Sequence, residues 1–111
     1  LKNTSVLLKN MKLKLSNFDI FIGPSIQKCC FEVSDDVVNR FPSKYVKKKR
    51  NGKFKVDLQK IAFEELNSFG FSNDKIKITD ECSYCIKDMY FSYRRDGGGT
   101  ERMIGVIGFE A

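Results

Sequence analysis

Apolar positions recur at helical spacing from the first residue. Leu1, Leu8, Met11 and Leu15 are interleaved with Lys2, Lys9, Lys12 and Lys14, which predicts an amphipathic helix over residues 1–15. Residues 18–22 form a compact apolar run, interrupted by Asp19 and closed by Gly23-Pro24, the pattern of a buried strand entering a turn. Residues 29–33 make a second short strand. Ser34-Asp35-Asp36 then opens a helix carrying Val37, Val38 and Phe41, which Pro42 stops. Arg50-Asn51-Gly52 is a hairpin turn signal, and the arm after it, Phe54-Lys55-Val56, alternates in the strand manner. The strongest helix comes next. Asp57 caps it, Leu58, Ile61, Ala62, Leu66 and Phe69 share one face, and Gly70 marks its stop. Residues 75–79 alternate as a strand with one solvated face, residues 88–93 read as extended, and residues 103–109 read as an apolar closing strand. Helices and strands alternate without repeats or a linker. The predicted class is α+β, a mixed β-sheet flanked by helices, in a single unit over residues 1–111.

The 111 residues are the size of one domain, and 41% hydrophobic content with two prolines fits a globular chain. No apolar run reaches the length of a membrane span, and no basic-then-apolar leader is visible, so neither a membrane nor secretion is expected. The absence of histidine changes the picture more. It removes Ser-His and Cys-His nucleophile pairs, zinc-protease helices and Cys2His2 fingers from consideration. The acid pairs Asp35 with Asp36, Glu64 with Glu65, and Asp80 with Glu81 are adjacent in sequence. On a helix such neighbours do not face each other, so they read as solvated surface. The chain starts at Leu1 with no N-cap candidate ahead of its first helix, and is expected to belong to a longer product.

The net charge of +6 comes from one segment. Residues 44–55 hold seven basic residues and no acid, and without them 13 basic residues face 14 acidic ones. With Tyr45 as its one aromatic before Phe54, this run offers little for base stacking. It reads as a solvated hairpin, and no nucleic-acid partner is expected.

Four cysteines stand as Cys29-Cys30 and Cys82-x-x-Cys85. A vicinal pair cannot bite a metal as a second Cys-x-x-Cys would, and adjacent thiols resist pairing with each other. Buried or half-buried free thiols in a reduced, cytoplasmic setting are therefore preferred over structural zinc or disulfides. The second compact signal is Arg94-Arg95-Asp96-Gly97-Gly98-Gly99. Arginines beside consecutive glycines suit an anion, with Arg94 and Arg95 as candidate phosphate or substrate contacts. The alternative is that one arginine pairs with Asp96 to fix a turn.

In order along the chain, these pieces resemble one family. Ile22-Gly23-Pro24-Ser25-Ile26-Gln27-Lys28-Cys29-Cys30-Phe31-Glu32-Val33 is similar to the "IGP-x-I-x-x-CCYEV" signature of the YfiH family. This is the laccase-domain, or multicopper polyphenol oxidase-like, family of purine nucleoside phosphorylases. Val56-Asp57-Leu58, Cys82-Ser83-Tyr84-Cys85, Phe91-Ser92-Tyr93-Arg94-Arg95-Asp96 and Arg102-Met103-Ile104-Gly105-Val106-Ile107 resemble its later motifs. Phe31 stands where the family has Tyr, and Glu101 where it often has Gly. The resemblance implies a YfiH-like fold and a zinc-dependent enzyme acting on purine nucleosides and phosphate. Its expected reactions are phosphorolysis of adenosine, inosine, guanosine and methylthioadenosine, and deamination of adenosine. The implied zinc ligands, two histidines and a cysteine, lie upstream of these motifs, so no catalytic residue and no metal ligand is expected in this chain. Zinc ranks ahead of copper. The expectation is the C-terminal half of a family domain, inactive alone; the alternative is a stand-alone binding module.

Overall fold

The structure is a computed structural model and describes residues 1–108. Helix α1 covers Lys2–Asn10 and ends well before Leu15. Lys12 takes the left-handed conformation at φ 61°, its N–H donates to Lys9 O at 2.9 Å, and the Leu13 N–H reaches back to Leu8 O at 3.2 Å. These are the paired bonds of a left-handed helix stop. A lysine rather than a glycine occupies the turning position, so nothing in the apolar periodicity marks the end. Leu15 still reaches the core, from a 3₁₀ turn at Leu15–Asn17.

The same stop closes the best helix with its usual residue. Helix α3 runs Leu58–Phe69, and the Asp57 carboxylate accepts the Lys60 N–H at 3.1 Å. Gly70 takes φ 112°, its N–H donates to Asn67 O, and the Phe71 N–H donates to Leu66 O. The turn drops Phe71 beside Leu66, where both join Leu15 and Ile76 in the buried core. Phe18 meets the Phe71 ring edge to face at 6.2 Å.

The strands divide into two small sheets. Strand β1 (Ile20–Ile22) pairs in parallel with β5 (Ile76–Ile78), placing Ile20 opposite Ile76 and Ile22 opposite Ile78. Strands β3 (Val46–Lys48) and β4 (Phe54–Val56) form the expected hairpin, and β2 (Glu32–Val33) pairs antiparallel with β4. The hairpin closes through Gly52 N–H to Lys49 O and Lys49 N–H to Lys53 O, with Gly52 at φ 80°. Val56 in β4 is fully buried. The short helix α2 (Asp35–Val38) starts where the Ser-Asp-Asp signal puts it. The α+β class stands, with the mixed sheet split in two.

Two expected strands are not formed. Residues 87–89 make a turn, and Ser92 then caps the short helix α4 (Tyr93–Asp96), its hydroxyl accepting the Arg95 N–H. The cap outcompetes the extended reading of residues 88–93. Residues 103–108 are not in a strand, and Phe109 lies outside the described residues. Ile104, Val106 and Ile107 are 86%, 92% and 100% exposed, so the apolar pattern there has no sheet edge to join among the described residues. Residues 29–33 are strand only at their end, because residues 28–30 turn. No helix among the described residues is long and apolar enough to cross a membrane.

The accessible surface is 8622 Å², against about 6,300 Å² for a compact monomer of this mass. The radius of gyration is 16.3 Å, against about 13 Å for a self-contained domain of this length. Leu7, Met11, Phe21 and Met89 all stand exposed.

The two helix stops predict opposite signs. Gly70→Ala adds strain at a left-handed position where space is not limiting, since the new Cβ sits 3.8 Å from Leu15. It should cost about 1 kcal/mol, whereas Lys12→Gly should gain about 0.5–1 kcal/mol, both read from urea midpoints. Val56→Ala removes two buried methyl-sized groups and should cost about 2 kcal/mol in the same assay.

Candidate functional site

The parallel pair β1–β5 sets the course of the chain beyond each strand. Past Ile22 and Ile78 the two paths stay together. Thr79 N–H donates to Ile22 O, Ser25 bridges Cys82 in parallel, and Ser83 N–H donates to Ser25 O at 3.1 Å. Gln59, in the first turn of α3, donates from Nε2 to Thr79 O at 3.0 Å and reaches the Ser25 hydroxyl at 3.5 Å. Gln27 Nε2 reaches the same carbonyl at 3.3 Å. Two loops are thereby set side by side, one turning at residues 28–30 and one at residues 83–85.

Each loop carries two thiols. Cys30 and Phe31 both donate their N–H to Gln27 O, and Ile86 N–H donates to Cys82 O, so both loops are tight turns that face each other. Cys29, Cys30, Cys82 and Cys85 bring their Sγ atoms within 4.8 Å of one another, and all four are free thiols. The expected free thiols are present, but Cys29 and Cys85 are exposed rather than buried, and the vicinal pair and the Cys-x-x-Cys converge on one point. Adjacency limits two cysteines on an extended backbone, but here the backbone turns at residues 28–30 and sends both toward Cys85. Only Cys82 is buried.

The thiols are electrostatically unequal. Burial pushes the Cys82 thiol up, but the backbone N–H groups of Gln27, Cys85 and Tyr84 directed at its sulfur outweigh this and bring it down to about 6. Burial among the other thiols pushes Cys29 and Cys30 above the ordinary range.

The two arginines have different surroundings. Arg95 turns inward with a side chain 16% exposed. Its guanidinium donates to Ser83 O at 3.0 Å, Tyr84 O at 3.1 Å and Tyr90 O at 2.9 Å, and grips Asp96 with Nε and Nη2, each at 3.1 Å. That pairing holds the Asp96 carboxyl below the usual range. Arg94 points the other way. It donates to Glu32 O and lies over the Phe31 ring at 4.8 Å. It lines a cavity of about 430 Å³ with Cys29, Cys30, Glu32, Lys53 and Tyr84. The glycines after α4 supply the left-handed turn, Gly97 at φ 67° and Gly98 at φ 92°, and a Cβ on Gly98 would meet the Tyr93 ring at 3.0 Å.

A second cleft of about 450 Å³ gathers Lys28, Lys44, Lys47, Lys55 and Lys60 around Asp57. Lys28 and Lys44 are already paired, with Asp57 and Glu64. Lys49, from the same basic run, pairs with Glu32. The acids that meet the basic run come from distant positions, which local charge counting does not reveal.

A family model described as multi-copper polyphenol oxidoreductase laccase matches residues 2–110. The purine nucleoside phosphorylase YlmD of Geobacillus stearothermophilus is 32% identical over 100 residues, 84% of this chain and 36% of that protein. A purine nucleoside phosphorylase of Staphylococcus aureus is 30% identical over 108 residues, 92% of this chain and 41% of its own. The crystal structure of the Geobacillus YlmD aligns with TM-score 0.78 at 27% identity, over 88% of this chain and 39% of that one. The Bacillus licheniformis hypothetical protein YfiH aligns with TM-score 0.78 at 24% identity, over 86% and 39%, and shares the fold. The chain spans 36–41% of the length of the curated relatives it matches.

Arg95→Ala leaves three carbonyls without their donor and should cost about 3 kcal/mol in urea unfolding, while Arg94→Ala, at an exposed position, should cost under about 1 kcal/mol. Equal losses would refute the scaffold role given to Arg95. The acid limb adds a sign. The folded Asp96 pKa lies below the unfolded one, so the pair stabilises fully above about pH 4 and the gain is lost as pH falls through the folded value. Arg95→Ala should flatten that limb.

Proposed function

The chain belongs to the multi-copper polyphenol oxidoreductase laccase family, that of YfiH, and from this membership we propose that it is the C-terminal part of a purine nucleoside phosphorylase domain. The observation that carries the reading is the run of curated purine nucleoside phosphorylases, 30–32% identical across 84–92% of this chain. Phosphorolysis replaces the glycosidic bond of a purine nucleoside with a bond to phosphate. It needs an anion held beside the sugar and stabilisation of a positively charged sugar carbon. Arg94 is the residue assigned to phosphate: its guanidinium lines the cavity next to Lys53, with one N–H committed to Glu32 O. Arg95 is a positioning residue for the same loop, which the backbone of residues 97–99 completes.

The zinc centre implied by the resemblance needs histidine donors, and this chain has none, so its residues do not fit that centre. Zinc dependence and adenosine deamination are proposed for the longer protein, with copper ranked below zinc. The excess apolar surface supports a further part of the domain covering α1 and the face around Phe21. The four free thiols support a reduced, cytoplasmic setting. The basic hairpin is read as solvated and paired, not as a nucleic-acid contact.

The test uses the longer protein that contains this chain. Base release from inosine should depend on phosphate, and Arg94→Ala should raise the phosphate KM about 10–100-fold, the worth of one charged hydrogen bond, with little change in thermal midpoint. Nucleoside cleavage indifferent to phosphate, or an unchanged KM, refutes the assignment.

A further inference from the structure

The four thiols exceed what the phosphorylase reading uses. A zinc ion sits about 2.3 Å from each thiolate, so the edges of a four-sulfur tetrahedron around it are about 3.8 Å. Here Cys29 and Cys85 Sγ atoms are 3.8 Å apart, Cys30 and Cys85 are 3.3 Å apart, and no pair of the four exceeds 4.8 Å. That is the spacing of sulfurs around one centre. Disulfides would draw the thiols together two by two, with sulfurs about 2.05 Å apart.

The surroundings favour a metal over four neutral thiols. The Gln27 N–H donates to Cys82 Sγ at 3.4 Å, a bond that stabilises sulfur carrying negative charge. Four thiolates around a divalent cation leave an excess of negative charge, and Lys53 and Arg94 line the cavity that Cys29 and Cys30 share. Four ligands fill a tetrahedron and leave no open position for substrate or water, so the site is structural. We propose that Cys29, Cys30, Cys82 and Cys85 form a four-thiolate zinc site that clasps the loop after β1 to the loop after β5. Binding releases the thiol protons to solvent, with no change of oxidation state. The clasp is independent of the phosphorylase reading, and loss of zinc binding here leaves the phosphate test standing.

The experiment uses the longer protein that contains this chain, purified under reducing conditions. By elemental analysis it should hold one zinc ion more per chain than the Cys30→Ser/Cys82→Ser double variant. Cobalt(II) in its place should show sulfur-to-metal charge transfer and the strong visible bands of tetrahedral coordination. In competition with a chromophoric chelator, Cys30→Ser and Cys82→Ser should each weaken zinc binding by at least about 100-fold, since even ligand-supporting residues are worth 10–100-fold. Should the serine variants fail to fold, the wild-type stoichiometry and cobalt spectrum decide alone. The proposal is overturned by a double variant that holds as much zinc as the wild type, by copper in its place, by a cobalt spectrum without thiolate bands, by a disulfide between Cys30 and Cys85 under these conditions, or by serine variants of unchanged affinity.

Discussion

The parallel pairing of β1 with β5 is the constraint on which the rest depends. It joins stretches that are distant in sequence in one register, Ile20 against Ile76 and Ile22 against Ile78. Because both strands run the same way, both chains leave the pair at the same edge, and the Ser25–Cys82 bridge carries their neighbourhood beyond the last strand residues. An antiparallel pair would have sent the two loops to opposite ends. Gln59 reinforces the arrangement from the start of α3 by holding Thr79 O and Ser25. The apolar sides of the same strands pack on Leu66 and Phe71, so one pairing serves both core and site. Chemistry gathered beyond the carboxyl ends of parallel strands is a recurring property of such sheets.

Arg95 shows how one side chain substitutes for a missing core. Around residues 82–96 the buried side chains are Cys82, Ser83 and Ser92, which offer little apolar area. A guanidinium with five donors can satisfy several carbonyls of an irregular loop at once, and Arg95 does so for Ser83, Tyr84 and Tyr90 while Asp96 neutralises it. The adjacent Arg94 has the same chemistry and the opposite exposure. Two neighbouring arginines in a short helix point to different faces, Arg95 inward to the loop carbonyls and Arg94 toward the cavity beside Glu32.

What the chain reveals locally is what local interactions decide. The Asp57 cap, the face from Leu58 to Phe69 and the Gly70 stop each act within a few residues, and all are where the pattern puts them. The end of α1 is hidden because Lys12 does what glycine usually does. The extended reading of residues 88–93 fails because Ser92 caps a helix that has too few apolar residues to show a period. Residues 103–108 carry a strand pattern, but a strand forms only against a partner, and pattern alone does not supply one. The thiol quartet is illegible for the same reason. Cys29 and Cys82 meet only through the β1–β5 register, and the turn that aims Cys29 and Cys30 together is fixed by Gln27 O.

The distribution of burial then argues for where stability must come from. Leu15, Leu66, Phe71 and Ile76 form one compact cluster, and Val33 and Val56 anchor the second sheet. The loops that hold Arg94 and the thiols supply no member of the first cluster, and Cys82 is their one buried apolar side chain. Apolar burial stabilises in proportion to area removed from water, and at those loops there is little area to remove. Order there has to come from directional interactions: the Arg95 network, the Tyr90 hydroxyl on Glu81, and the thiols facing one another. Such interactions are worth little when water competes and much when several share one partner. A loop built this way holds one shape only while its shared partners stay in place. That makes the region between Cys82 and Asp96 the part of the molecule whose geometry is most sensitive to single substitutions, although it holds few of its core residues.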